Sequence, residues 1–179
     1  MPNQNKWDKL FLNIAFDVSE MSKDPSTRVG AVIVSKDNRK ISFGYNGFVR
    51  GIEETSKKWE RPTKYQYVQH AEPNAIINCP FDTVDCTLYC THQPCHRCIE
   101  IVAQAGIKRV VYAQEYNNLE YKDIWNEHAK LFDEIICVPC SRGAPVVYQP
   151  VHRGVIWLPK WLRAFLRRLQ DDPFQVIQL

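Results

Sequence analysis

The order of its segments predicts an α/β domain for this sequence. Two observations carry that expectation. From residue 70 onward helical and strand patterns alternate, the arrangement that builds parallel strand pairs with helices packed on the sheet. Ahead of that, residues 29–35 (VGAVIVS) are β-branched and almost continuously apolar, as a buried strand must be.

Taken in order, residues 6–22 read as a helix, with Leu10, Phe11, Ile14 and Val18 at helical spacing. Asp24-Pro25-Ser26 ends that pattern. Residues 29–35 and 41–45 read as two strands joined by a turn at Asp37-Asn38, a hairpin. Residues 47–69 have little periodicity and interleave polar residues with Trp59, Tyr65 and Tyr67. They read as a long surface loop, of a length usually associated with function or disorder. Then follow a helix over 70–78, a strand over 87–91, a helix over 95–105 closed by Gly106, a strand over 109–113, a helix over 119–131 and a strand over 134–138. Residues 139–153 look irregular. Residues 158–169 form an amphipathic helix candidate, with Trp161, Leu162, Phe165, Leu166 and Leu169 opposite Lys160, Arg163, Arg167 and Arg168. The sequence thus divides into a domain over 1–140 and an extension over 141–179.

A chain of 179 residues suits one domain with a short appendage. With 45% hydrophobic and 24% charged residues it has the composition of an ordinary soluble protein, which excludes collagen-like and disordered classes. No apolar run is long enough to cross a membrane, and the polar start of the chain lacks the apolar core of a secretory signal. The expected location is the cytoplasm (the host's, if the source is a virus). The net charge of +3 is too small to argue for nucleic-acid binding and suits a small anionic substrate. Seven cysteines, an odd number without a secretory signal, point to metal ligation and not to a disulfide framework.

The chemistry-bearing pieces are His70-Ala71-Glu72 and Pro94-Cys95-His96-Arg97-Cys98. Zinc takes imidazole and thiolate ligands in tetrahedral geometry. Cys95 and Cys98, three apart on the first turn of a helix, place both sulfurs on one side, and Pro94 helps to start that helix. Free N–H groups and the dipole there favour thiolates. His70 supplies a third ligand. Three protein ligands leave one position open, which is the catalytic arrangement and not the structural one. Glu72, not needed as a ligand, is placed to move protons as a general acid–base. A lone C-x-x-C is often a structural half-site or a redox pair, and a lone H-x-E carries almost no information. Both together, each ahead of a helix, point to a catalytic zinc site. Cys86 and Cys90 read as small core residues. Cys137 and Cys140 form a second C-x-x-C with no second pair to complete a site. His96 reads as solvent-facing, and His92, His128 and His152 have no partner visible in sequence.

The paired motifs match the zinc-deaminase signature, and the sequence resembles the deoxycytidylate (dCMP) deaminases. The resemblance runs from about residue 22 to 111. It rests on Ser22-Lys23-Asp24-Pro25-Ser26-Thr27-Arg28-Val29-Gly30-Ala31, Gly44-Tyr45-Asn46-Gly47, the stretch from Tyr67 through His70-Ala71-Glu72 to Ile76, the Pro94–Cys98 motif and Gln104-Ala105-Gly106-Ile107-Lys108. It implies a three-layer α/β/α fold with a mixed five-stranded sheet, a zinc cofactor and hydrolysis of dCMP to dUMP, the precursor of thymidylate. It further implies a homo-oligomer, commonly a hexamer, switched by dCTP and dTTP. By position, Asn46 would bind the deoxyribose and base, with Ala71 among the substrate-binding residues. Ser26, Arg28 and Lys23 would lie near the 5′-phosphate, and Tyr116 would close the phosphate side. The ordinary alternatives are a surface charge for Arg28 and a turn residue for Asn46.

The sequence departs from the family in three places. Residues 22–69 contain no cysteine, so the second zinc of some phage members is not expected. The segment Phe48-Val49-Arg50-Gly51-Ile52-Glu53-Glu54 lacks the usual Pro and Gly pattern, which counts against effector control. Residues 141–179 match nothing in the family. The competing readings are a deaminase of dCTP, of 5-substituted dCMP, or of cytosine or adenosine in single-stranded nucleic acid. From another class comes a non-catalytic, zinc-stabilised binding module. The modest charge and the Asn46 motif count against a polymer substrate, and Glu72 counts against a purely structural zinc.

Overall fold

The computed structural model describes residues 4–115, 119–138 and 149–150, the last two and residue 119 by backbone alone. Eight strands and six helices are named in chain order: α1 (Gln4–Ser19), β1 (Gly30–Val34), β2 (Ile41–Tyr45), β3 (Gly47–Phe48), α2 (Ser56–Trp59), α3 (Lys64–Tyr67), β4 (Val68–Gln69), α4 (Ala71–Ile77), β5 (Thr87–His92), α5 (His96–Gln104), β6 (Arg109–Gln114), α6 (Lys122–Ala129), β7 (Glu134–Cys137) and β8 (Gln149–Pro150).

The main sheet runs β2-β1-β5-β6-β7-β8. β1 is antiparallel to both β2 and β5, whereas β5, β6 and β7 are parallel. This is the expected mixed five-stranded sheet, to which the two-residue β8 adds an antiparallel edge inside the segment read as irregular. The alternation of side chains along the strands builds two cores. Ala31, Ile33, Leu88, Cys90, Val110 and Tyr112 face α4, α5 and α6. Val32, Val34, Tyr89 and Val111 face α1. Helices on both faces of one sheet make the three layers.

α1 stops three residues earlier than its pattern predicts. The N–H groups of Glu20, Met21 and Ser22 bond instead to the carbonyls of Asp17, Val18 and Ser19, which tightens the chain into a turn. Its buried face is also rotated. Asp8, Phe11, Leu12, Ala15 and Ser19 are inside, and Leu10 is exposed. The cause is Asp8, whose carboxylate is drawn under the sheet by Arg109 at 2.7 and 2.8 Å and by the Tyr89 hydroxyl at 2.8 Å.

The segment read as one long loop carries α2, α3 and a two-stranded ribbon, β3 with β4. Short-range periodicity cannot find elements of two to four residues. Its aromatic residues form a small cluster of their own: Phe48 stacks on Trp59 at 4.1 Å and meets Tyr67 at 5.7 Å. Close packing at Gly44 and backbone conformation at Gly106 each call for glycine. A Cβ at Gly44 would lie 2.3 Å from the Ala75 nitrogen, so only glycine lets α4 lie this close to β2. Gly106 has φ +76° and ends α5 in the left-handed conformation that the sequence predicts. The C-terminal helix candidate, Cys140 and His152 lie outside the described residues. No helix among the described residues is long and apolar enough to cross a membrane.

Candidate active site

Three side chains converge where β5 ends. His70 is the N-cap of α4, directly after β4; Cys95 is the N-cap of α5, and Cys98 lies one turn into that helix. Pro94 therefore precedes the cap and does not occupy the first helical position. Its carbonyl accepts a hydrogen bond of 2.8 Å from the indole of buried Trp125 on α6, which fixes the turn before the cap. The His70 Nδ1 lies 3.3 Å from the Cys98 Sγ and 3.7 Å from the Cys95 Sγ. All three donor atoms fall within 4.8 Å of one another. Tetrahedral zinc with ordinary bond lengths separates a nitrogen from a sulfur ligand by about 3.5 Å. One imidazole and two thiols at these distances fit zinc with little rearrangement.

The protonation pattern fits the same cation. Cys98 donates to Cys95 and holds the Cys95 thiol down to about 3, helped by His70, while that bond and burial raise Cys98. His70 is raised above its ordinary value, chiefly by its bond with Cys95. A dication would favour release of the protons these groups carry, because thiolate and neutral imidazole are the binding forms.

Glu72 is 3% exposed. Burial raises its carboxyl, against the opposing pull of His70. A carboxyl raised by burial is better matched to accepting and returning a proton.

A cavity of about 210 Å³ opens beside these groups. His70, Ala71, Glu72 and Cys95 contribute to one part of its wall. Asn46 also lines it, with its amide engaged in the protein. Its Oδ1 accepts from the Val29 N–H at 2.8 Å, and its Nδ2 donates to the Thr27 carbonyl at 2.9 Å and to Asp24 at 3.3 Å. Both amide hydrogens are used, which leaves a lone pair of Oδ1 for a ligand.

Of the residues expected near a phosphate, Ser26 donates to Asp24 and accepts from Lys64; Arg28 pairs with Glu20 at 3.2 Å, and Lys23 with Glu54 at 3.1 Å. None of the three is among the cavity-lining residues. Tyr116 lies outside the described residues. His96, read as solvent-facing, is half-buried and stacks on Tyr121 at 4.0 Å.

The cavity wall also contains residues that sequence reasoning passed over: Arg61, Lys64, Tyr65, His92 and Gln93. Lys64 is almost fully buried and bonds both Asp24 oxygens, at 2.8 and 3.0 Å. Burial alone would raise the Asp24 carboxyl. Lys64 and the N–H groups of Ser26 and Thr27 outweigh it and hold the group below 3.8. His92 is pushed down by burial, and its Nδ1 lies 3.0 Å from the Thr91 hydroxyl. The one sequence signal for this group was a run of Arg, Lys and Tyr just ahead of β4, indistinguishable from a solvated loop.

Comparison with known proteins gives a consistent result. Residues 5–114 match the family described as the cytidine and deoxycytidylate deaminase zinc-binding region. A probable deoxycytidylate deaminase of Caenorhabditis elegans is 41% identical over 136 residues, spanning 72% of this chain and 69% of that one. The deoxycytidylate deaminase of Mus musculus is 39% identical over 123 residues, 64% of this chain and 69% of that one. Among solved structures, the dCMP deaminase of cyanophage S-TIM5 in complex with dCMP and dUMP superposes with a TM-score of 0.58 at 29% identity. The match covers 69% of this chain and 92% of the phage enzyme.

Proposed function

The chain belongs to the cytidine and deoxycytidylate deaminase zinc-binding family, and we propose that it hydrolyses dCMP to dUMP and ammonia. The observation that carries this reading is the placement of a buried carboxyl, Glu72, on the wall of one cavity with His70 and Cys95, which together with buried Cys98 form an open donor set. The relatives named as deoxycytidylate deaminases, and the phage enzyme captured with dCMP and dUMP, support the choice of substrate.

His70, Cys95 and Cys98 would hold zinc, which when bound would supply the Lewis acidity that makes water nucleophilic near neutral pH. Glu72 accepts a proton from the attacking water and passes it to ring N3. The water oxygen bonds to C4. Glu72 then takes the second water proton to the exocyclic nitrogen, the C4–N4 bond breaks, and ammonia leaves. Atoms balance as dCMP plus water giving dUMP plus ammonia. Asn46 and Ala71 contact the nucleoside, in keeping with their places on the cavity wall. Ser26, Arg28, Lys23 and Tyr116 are the resemblance-based candidates for the phosphate side.

Residues 1–140 form the catalytic unit in this reading, supported by the extent of the family match and by β7 ending at Cys137; residues 141–179 are an extension. Self-association is supported by Ile41, Phe43 and Tyr45, which are exposed in a row on edge strand β2. Light scattering at several concentrations, with and without dCTP or dTTP, tests both the oligomer and an effector response.

Glu72→Gln is the decisive variant. Turnover of dCMP should fall by about 10²- to 10⁴-fold, with zinc content by metal analysis unchanged. Undiminished turnover in that variant would overturn the mechanism.

A further inference from the structure

A nucleoside monophosphate carries its charge at the end remote from the base, so a site that prefers it over the nucleoside needs a cation not already neutralised by the protein. Four cations come into question. Lys23 is paired with Glu54 and Arg28 with Glu20, and neither lines the cavity. Lys64 lines it, but its ammonium is committed to both oxygens of Asp24 and to the Ser26 hydroxyl. Arg61 lines the cavity and makes no ion pair or hydrogen bond among the described residues. Its guanidinium carbon sits over the ring of Tyr65, another lining residue, at 5.8 Å from the centroid.

We propose that Arg61, positioned over Tyr65, recognises the phosphate of the substrate and sets the preference for a nucleotide over a nucleoside. This assignment rests on the nucleotide-deaminase reading above and moves the phosphate contact from the segment 23–28 to the segment 61–65. At 5.8 Å from the ring centroid the guanidinium is within cation–π reach of Tyr65, and its N–H groups make no hydrogen bond among the described residues. The guanidinium edge presents paired donors in the spacing of two phosphate oxygens. The cation–π contact favours this placement of the side chain, which lowers the entropy cost of engaging the anion. The buried Asp24–Lys64 pair, three residues along, fixes the backbone from which Arg61 projects.

The test is a specificity ratio. Zinc-loaded wild type, Arg61→Ala, Arg61→Lys and Arg28→Ala are assayed for kcat/KM on dCMP and on deoxycytidine. Arg61→Ala should reduce the dCMP-to-deoxycytidine ratio on the order of 10- to 100-fold, the loss of one charged hydrogen-bonding partner, mainly through KM for dCMP. Arg61→Lys should recover part of it. An unchanged ratio in Arg61→Ala overturns the proposal, as does an equal loss on both substrates or a collapse confined to Arg28→Ala. If wild type turns over neither compound, the functional reading has failed, and inorganic phosphate then decides the anion site. A rise of the thermal midpoint with phosphate that is absent in Arg61→Ala supports the site. No rise in wild type, or the same rise in both, overturns it.

Discussion

Two buried ion pairs sit at opposite ends of this molecule, and they are built for different work. Asp8–Arg109 lies where β6 begins, with the carboxylate fully buried and the guanidinium bonded to it through two nitrogens. It ties α1 to β6, and Arg109 keeps a second partner in Glu134. Asp24–Lys64 lies on the cavity wall, past the other end of the parallel strands, with side-chain exposures of 2% and 6%. It joins two segments forty residues apart. The same carboxylate also takes the N–H groups of Ser26 and Thr27 and the amide of Asn46. The first pair holds a scaffold together. The second shapes the surface that a ligand meets. A buried pair reveals its role by what else its carboxylate holds, not by its length or depth.

The largest effect is expected for Asp24→Ala. It strands the Lys64 ammonium in a buried site and should cost about 3–5 kcal/mol in urea unfolding. Because it also releases Asn46, the protein that still folds should show a raised KM for dCMP. A loss of stability with KM unchanged would reduce the pair to scaffold. Asp8→Ala should cost less, about 2–3 kcal/mol, since Arg109 retains Glu134 and is partly solvated. Its kcat/KM, measured on the folded fraction, should match wild type.

The acid limb of the stability curve sharpens the contrast. The Asp24 carboxyl is held below 3.8 in the folded protein. Its contribution is therefore complete above 3.8 and is lost as pH falls through the lower folded-state value. Wild type should lose stability over that window, and Asp24→Asn should show a flatter limb in pH-dependent unfolding. Smallest of all is Glu20→Gln, which removes the exposed partner of Arg28. Less than 1 kcal/mol is expected, with no change in KM if the 23–28 segment stays clear of the phosphate.

The His70–Cys95–Cys98 donor cluster and the nearby Glu72 were legible as a group in the sequence because each donor lies at or near the start of a helix whose pattern is local. The three-residue step from Cys95 to Cys98 and the two-residue step from His70 to Glu72 need no tertiary information. The sheet was legible for the same reason: its inner strands are apolar runs. Lys64 and Arg61 were not. The burial of Lys64 is caused by Asp24, forty residues earlier, and nothing near residue 64 announces a buried cation. Asp8 misled in the opposite sense. A charged residue on a helix reads as outward, and Arg109, a hundred residues later, turns it inward. Asn46 falls between these cases. Its motif marked the position, but its amide is engaged chiefly by the protein's own backbone.

The β3–β4 ribbon pairs Gly47 with Gln69 and Phe48 with Val68. It brings together the chain just after Asn46 and the chain just before His70. Everything from residue 49 to 67 is thus an insert whose two ends are buttoned side by side, with its own aromatic filling. Lengthening a loop between fixed ends costs little. Provided Lys64 keeps its place on Asp24, the length of such an insert can vary without shifting His70, which follows it. The outer part of the insert and the donor set it leads into are then joined at one buried contact, Asp24–Lys64, and variation is open to the residues on either side of it.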